Sequence, residues 1–179
     1  QVFLPHHGPQ ALAAIAIHPD YQFGFGHDLA LITLAEPVAG AAPVTLVSGD
    51  TVADGQVATL VGFGAAGGTD VSFGLRRSGQ AATAACATVP DAAQVCVELA
   101  APLGEPGAET GLCLRDEGAP LFVAQGGAAK LAGVGSGATG AACLPPSESF
   151  FADVAADHAW IAAAAGPDLG TSGCGAAPV

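Results

Sequence analysis

Basic residues are scarce: this 179-residue chain has 4 Lys and Arg against 16 Asp and Glu, a formal charge of -12. Arg76, Arg77, Arg115 and Lys130 form no stripe that would neutralise phosphates, and the negative field repels polyanions, so nucleic-acid binding is excluded. Long apolar runs are missing too. Ala11 to Ile17 and Leu29 to Leu34 are the clearest, and both stop well short of bilayer length, so no membrane span is expected. The N-terminus lacks an initiator Met, a basic n-region and a long apolar h-region. It reads as neither a signal peptide nor a translation start, and an upstream segment, removed or carried by another chain, is expected. No Cys-x-x-Cys pair of zinc or redox sites occurs among the five cysteines, Cys86, Cys96, Cys113, Cys143 and Cys174. Disulfides in an exported protein explain them better, with one left over.

What is present is an apolar fraction of 51% with 26 Gly and 13 Pro, the composition of a folded, turn-rich globular domain. Short apolar stretches at 11–17, 29–34, 43–47, 57–63, 94–99, 120–124 and 129–135 are separated by Gly, Pro, Asp and Ser clusters. That spacing predicts an all-β barrel or sandwich. Phe150 to Ala165, with Val154, His158, Ile161 and Ala162 at helical intervals, predicts one closing helix ended by Gly166-Pro167. Residues 168–179 read as a Gly/Pro/Ala-rich tail or linker. His6, His7, His18, His27 and Asp28 show no helical zinc spacing, so no metal is expected there, and no cofactor motif is found. Gly62-Phe63-Gly64 lacks the Lys-Ser/Thr and the helix of a phosphate loop and reads as a turn. Arg76-Arg77 reads as an exposed loop, Trp160 as helix core, and Glu105 and Glu109 as solvated acids.

Five segments in order resemble the trypsin/chymotrypsin-like serine protease family. His18-Pro19-Asp20-Tyr21 with His27-Asp28-Leu29-Ala30-Leu31 resembles the strand of the triad aspartate. Val61-Gly62-Phe63-Gly64 resembles a Gly-Trp-Gly turn, and Gly74-Leu75-Arg76-Arg77 leads into Cys86. Cys113-Leu114-Arg115-Asp116-Glu117-Gly118-Ala119-Pro120-Leu121 resembles the Cys-x-Gly-Asp-Ser-Gly-Gly-Pro-Leu nucleophile loop. Gly133-Val134-Gly135-Ser136-Gly137, Cys143, Phe150-Phe151 and Trp160-Ile161 resemble the substrate-binding strand, a disulfide cysteine and the terminal helix.

The resemblance implies an all-β, trypsin-like double antiparallel β-barrel with a C-terminal α-helix. Its boundaries are 1–165 for the protease-homology domain and 166–179 for the tail. It also implies Cys86–Cys96 and Cys113–Cys143 bridges with Cys174 unpaired, Asp28 at the triad aspartate, and Ser136 as its hydroxyl partner. Asp116 matches the residue that pairs with a processed N-terminal amine, and Gly111, Ser136 and Gly137 line the specificity pocket. Gly111 is not acidic, so no preference for Lys or Arg is implied.

The departures point away from catalysis. Glu117 stands where the family has its serine nucleophile, and a carboxylate there is a poor nucleophile whose anhydride with a peptide acyl group would be high in energy. Arg115 stands at the glycine that supplies half of the oxyanion hole, where a side chain restricts the backbone; loss of one such donor costs about 2.7 to 4 kcal/mol of transition-state stabilisation. No segment resembles the one ending in the catalytic histidine, and His6-His7 lies too close to Asp28 to take that role. The first barrel is therefore expected to be incomplete in this chain, its strands supplied by another polypeptide segment, such as a cleaved N-terminal part of the same precursor. The expected function is an inactive homologue acting as an exported binding or structural module, secreted, at the cell surface or periplasmic. The alternatives are a scaffold subunit of an extracellular assembly and a serine-type endopeptidase with residual or in-trans activity.

Overall fold

The computed structural model describes residues 1–22, 26–49, 52–88, 93–100, 110–140 and 143–169. Cys174, Glu105, Glu109 and most of the expected tail lie outside them.

Six strands, β5 (Val57–Gly62), β6 (Arg77–Ala84), β7 (Gln94–Leu99), β8 (Pro120–Gln125), β9 (Ala128–Ala138) and β10 (Ser147–Asp153), close a barrel in the order β10-β7-β6-β5-β8-β9. Every neighbouring pair is antiparallel. β8 turns into β9 through Gly126 and Gly127, both at positive φ (63° and 78°), the backbone of a tight hairpin whose twist suits the strands it joins. The interior holds Leu60, Val95, Val97, Leu121, Val123 and Phe151, all buried.

Earlier in the chain, β1 (Val2–Leu4) and β2 (Gly8–Gln10) form a hairpin, and β3 (Leu12–Ile17) and β4 (Ala30–Leu34) form a separate two-stranded sheet. Leu29 and Leu31 pack against the barrel's core, whereas Ile15 and Ile32, directly opposite each other, remain 58% and 48% exposed, and Ile17 65%. The mostly-β architecture with a terminal helix matches the trypsin-like fold implied by the sequence.

Two local expectations are corrected, and one strand lies outside the expected set. The helix α1 spans only His158–Ala165, and Ser147–Asp153 is a strand, because pairing on both sides, with β7 and β9, outweighs the short helical period around Phe150. Residues 43–47 make a single parallel bridge, Leu46 with Leu131, in place of a strand. β6 escaped the apolar pattern because Ala81 and Thr83 fill its buried positions. α1 ends at Gly166 (φ 59°), and a 3-10 turn follows over Gly166–Leu169.

Candidate functional site

Cys113 opens the loop between the core residue Leu112 and β8, and a disulfide to Cys143 anchors it; Cys86 and Cys96 form the second bridge. The loop folds back on itself, with Asp116 N–H donating to Cys113 O (3.0 Å) and Ala119 N–H to Asp116 O (2.9 Å). It is laced to β9 by Gly118 N–H to Gly135 O and Gly135 N–H to Ala119 O, each 2.8 Å. Arg115 adopts φ 71°, the left-handed conformation that glycine normally supplies. Neither the Arg115 nor the Glu117 amide N–H has an acceptor among the described residues, so two donors remain free at the head of the loop.

Arg115 does not neutralise its acidic neighbours. Its guanidinium lies 3.7 Å from the centre of the Phe73 ring, a cation–π contact, and no carboxylate pairs with it among the described residues. The buried Asp116 carboxylate is satisfied by backbone instead: Gly64 N–H donates to Oδ1 at 2.7 Å and Cys113 N–H to Oδ2 at 3.1 Å. Glycine at both ends of Gly62-Phe63-Gly64 leaves room for this contact, since a Cβ on Gly62 would meet Asp116 Oδ1 and one on Gly64 its Cγ at 2.6 Å. Arg77 is likewise more than a loop residue: its guanidinium donates to Gly64 O at 2.9 Å and so braces the same turn.

Asp28 comes from the loop ahead of β4, and Ser136 from β9. The Ser136 hydroxyl donates to Asp28 Oδ2 at 2.7 Å across 108 residues of sequence, a contact that joins the first part of the chain to the barrel. Glu117 is exposed on the wall between two pockets. One, of about 140 Å³, is lined by Leu112, Gly137, Ala138 and the Cys113–Cys143 bridge; the other, of about 250 Å³, lies against Phe63, Arg115 and Pro120. Gly137 is flat against Phe150, where a Cβ would come within 2.9 Å of the ring. Gly111 faces a neighbouring cavity of about 190 Å³ beside Asp116, and a Cβ there would meet Ser149 Oγ at 2.8 Å. The arrangement therefore offers free amide donors and two pockets that share the Glu117 side chain in their lining.

His6 and His7 are exposed in the β1–β2 turn, away from any such grouping. His18 and His27 instead converge on Asp157, a residue that sequence reasoning missed because its partners lie more than 100 positions earlier. Asp157 is 3% exposed, His27 Nδ1 approaches its Oδ1 at 2.6 Å and His18 Nε2 at 3.5 Å. The two rings stack 4.6 Å apart, and Trp160, which packs on the core, tilts against His18. Asp153, four residues before Asp157, is buried as well; burial pushes its carboxyl above the ordinary range, against two hydrogen bonds from the Ala155 and Ala156 amides.

The closed six-stranded barrel, the other sheets and the terminal helix are consistent with a serine-protease-like fold. A family model for trypsin matches residues 7–161, and the chain belongs to that family. No curated protein matches it.

Proposed function

We propose that this trypsin-family chain is catalytically inactive and works as an exported binding or structural module, with the old cleft and its rim as the interaction surface. The observation that carries this reading is Glu117. By resemblance it occupies the nucleophile position, while the loop around it keeps its turns, its free amide donors and its neighbouring pocket. A frame of that kind can still grip an extended polypeptide through backbone donors and a side-chain pocket. It lacks the hydroxyl that acyl transfer needs. Two disulfides support an oxidising compartment, and no helix among the described residues is long and apolar enough to cross a membrane.

The exposed face of β3 and β4 favours a second element of the reading. Leu12 to Ile17 and Ala30 to Leu34 carry no charge, and Ile15, Ile17 and Ile32 present an apolar surface. Such a face calls for a cover, and strands completing the first barrel, from another segment of the precursor, fit it by chemistry and by hydrogen-bonding edge.

The test is incubation of the purified protein with a serine-directed fluorophosphonate and a broad peptide library. No labelling and no turnover are expected. Labelling or cleavage that follows the chain through purification would overturn inactivity in favour of a residual endopeptidase. Inactivity with no peptide retained by the cleft would leave the fold as scaffold only.

A further inference from the structure

The geometry points to a site for a zinc-type divalent metal ion formed by His18, His27 and Asp157. His27 adjoins Asp28, but the site does not depend on the function proposed above. His18 follows β3, His27 precedes Asp28, and Asp157 stands at the start of α1, so the cluster is assembled entirely by tertiary folding. One ligand atom from each residue falls within 4.8 Å of the others. Two imidazoles and one carboxylate are the donor set of zinc sites that keep a fourth position open. His27, one-third exposed, gives that position a path to solvent.

The observation that singles out this cluster is Asp157 Oδ2, which is buried with no hydrogen-bond partner. Such an atom is costly to leave unsatisfied, and a cation held by the same carboxylate compensates it. No Lys or Arg pairs with Asp157 among the described residues; only the two histidines reach it.

Binding requires defined adjustments. Ligand atoms at about 2.0–2.2 Å from a tetrahedral ion lie about 3.3–3.6 Å apart. The His18–Asp157 distance of 3.5 Å already fits, and the His27–Asp157 contact of 2.6 Å must widen by roughly 0.7 Å. The rings are within 10° of parallel, so one must turn for both lone pairs to reach a single ion; His27 is the more exposed and the one free to do so. Each neutral imidazole moves its single proton to its outer nitrogen. For His27 that nitrogen is Nε2. For His18 it is Nδ1, which now accepts from the Asp20 N–H at 3.2 Å, so binding gives up that long hydrogen bond. The site is thus one of moderate affinity that competes with an internal hydrogen-bonded arrangement.

The test adds Co²⁺ to the chelator-treated chain and then displaces it with Zn²⁺. Expected are visible d–d absorption saturating at one equivalent and its loss on Zn²⁺ addition. In imidazole ¹⁵N NMR of the unaltered chain, His18 and His27 should shift on Zn²⁺ addition while His6, His7 and His158 stay in place. Asp157→Asn and His27→Gln should each weaken Zn²⁺ binding by about tenfold or more. The proposal is overturned if no one-equivalent saturation occurs, if His6 and His7 shift instead, or if both substitutions bind as the parent does. The NMR readout needs no substitution, so it decides the matter even where a variant fails to fold.

Discussion

Arg115 shows how one L-residue can sit in a left-handed turn and gain a packing contact there. At φ 71° it bears the strain of a left-handed L-residue, worth about 1–2 kcal/mol, and it gains a stacking contact on Phe73 worth about 0.5–1 kcal/mol. Substitution separates the two contributions. Arg115→Gly loses the stacking but relieves the strain, so its stability should stay within about 1 kcal/mol of the parent. Arg115→Ala loses the stacking and keeps the strain, so it should be less stable than Arg115→Gly by about 1 kcal/mol in urea denaturation. Equal stability of the two variants would mean that the backbone is not held in this conformation. The resemblance pointed to Arg115 and Glu117 from the loop motif alone, whereas Phe73 as the partner of Arg115 could not be read, because a loop 40 residues away supplies the ring.

The elements differ in how they are tied down. Cys86–Cys96 closes a loop of 10 residues and Cys113–Cys143 one of 30. In the chain-entropy treatment these constrain the unfolded chain by about 3 and about 4 kcal/mol respectively. Replacing both cysteines of a pair with Ser should therefore cost more for Cys113 and Cys143, and the loop that Cys113 opens should also lose its anchor. Differential scanning calorimetry of the two double variants checks the ranking, and a larger loss for Cys86 and Cys96 would contradict it. Most barrel strands were legible as short apolar runs between turn residues. β6 was not, since small residues can be buried without an apolar signature, and β10 was misread because a seven-residue strand followed by a helix shares its apolar spacing with one longer helix.

Over the whole molecule, a charge of -12 disfavours compactness at neutral pH through self-repulsion, and Asp153 adds a specific contribution of the same sign. Burial raises its carboxyl pKa in the folded protein, with the nearby Asp157 adding to the rise, so the folded state holds a proton that the unfolded chain has already released. The stability that this proton provides is present at acid pH. It is lost as pH climbs from the ordinary carboxylate value, about 3.9, through the raised one. Asp153→Asn, whose side-chain oxygen can still accept the Ala155 and Ala156 amides, should be more stable than the parent at pH 7, and the difference should shrink toward pH 3. Denaturant midpoints at the two pH values measure this, and an advantage independent of pH would refute the assignment. The scarcity of basic residues that set this charge balance was visible in the sequence. So were the mostly-β class and the family likeness, because each is written in local composition or in contiguous motifs. Only the tertiary structure decided which acids are buried and what faces them. Asp116 is held by Gly64 and Cys113 amides and Asp157 by His18 and His27. Those contacts span up to 139 residues, and long-range contacts of this kind depend on barrel closure and strand register, which no local pattern encodes.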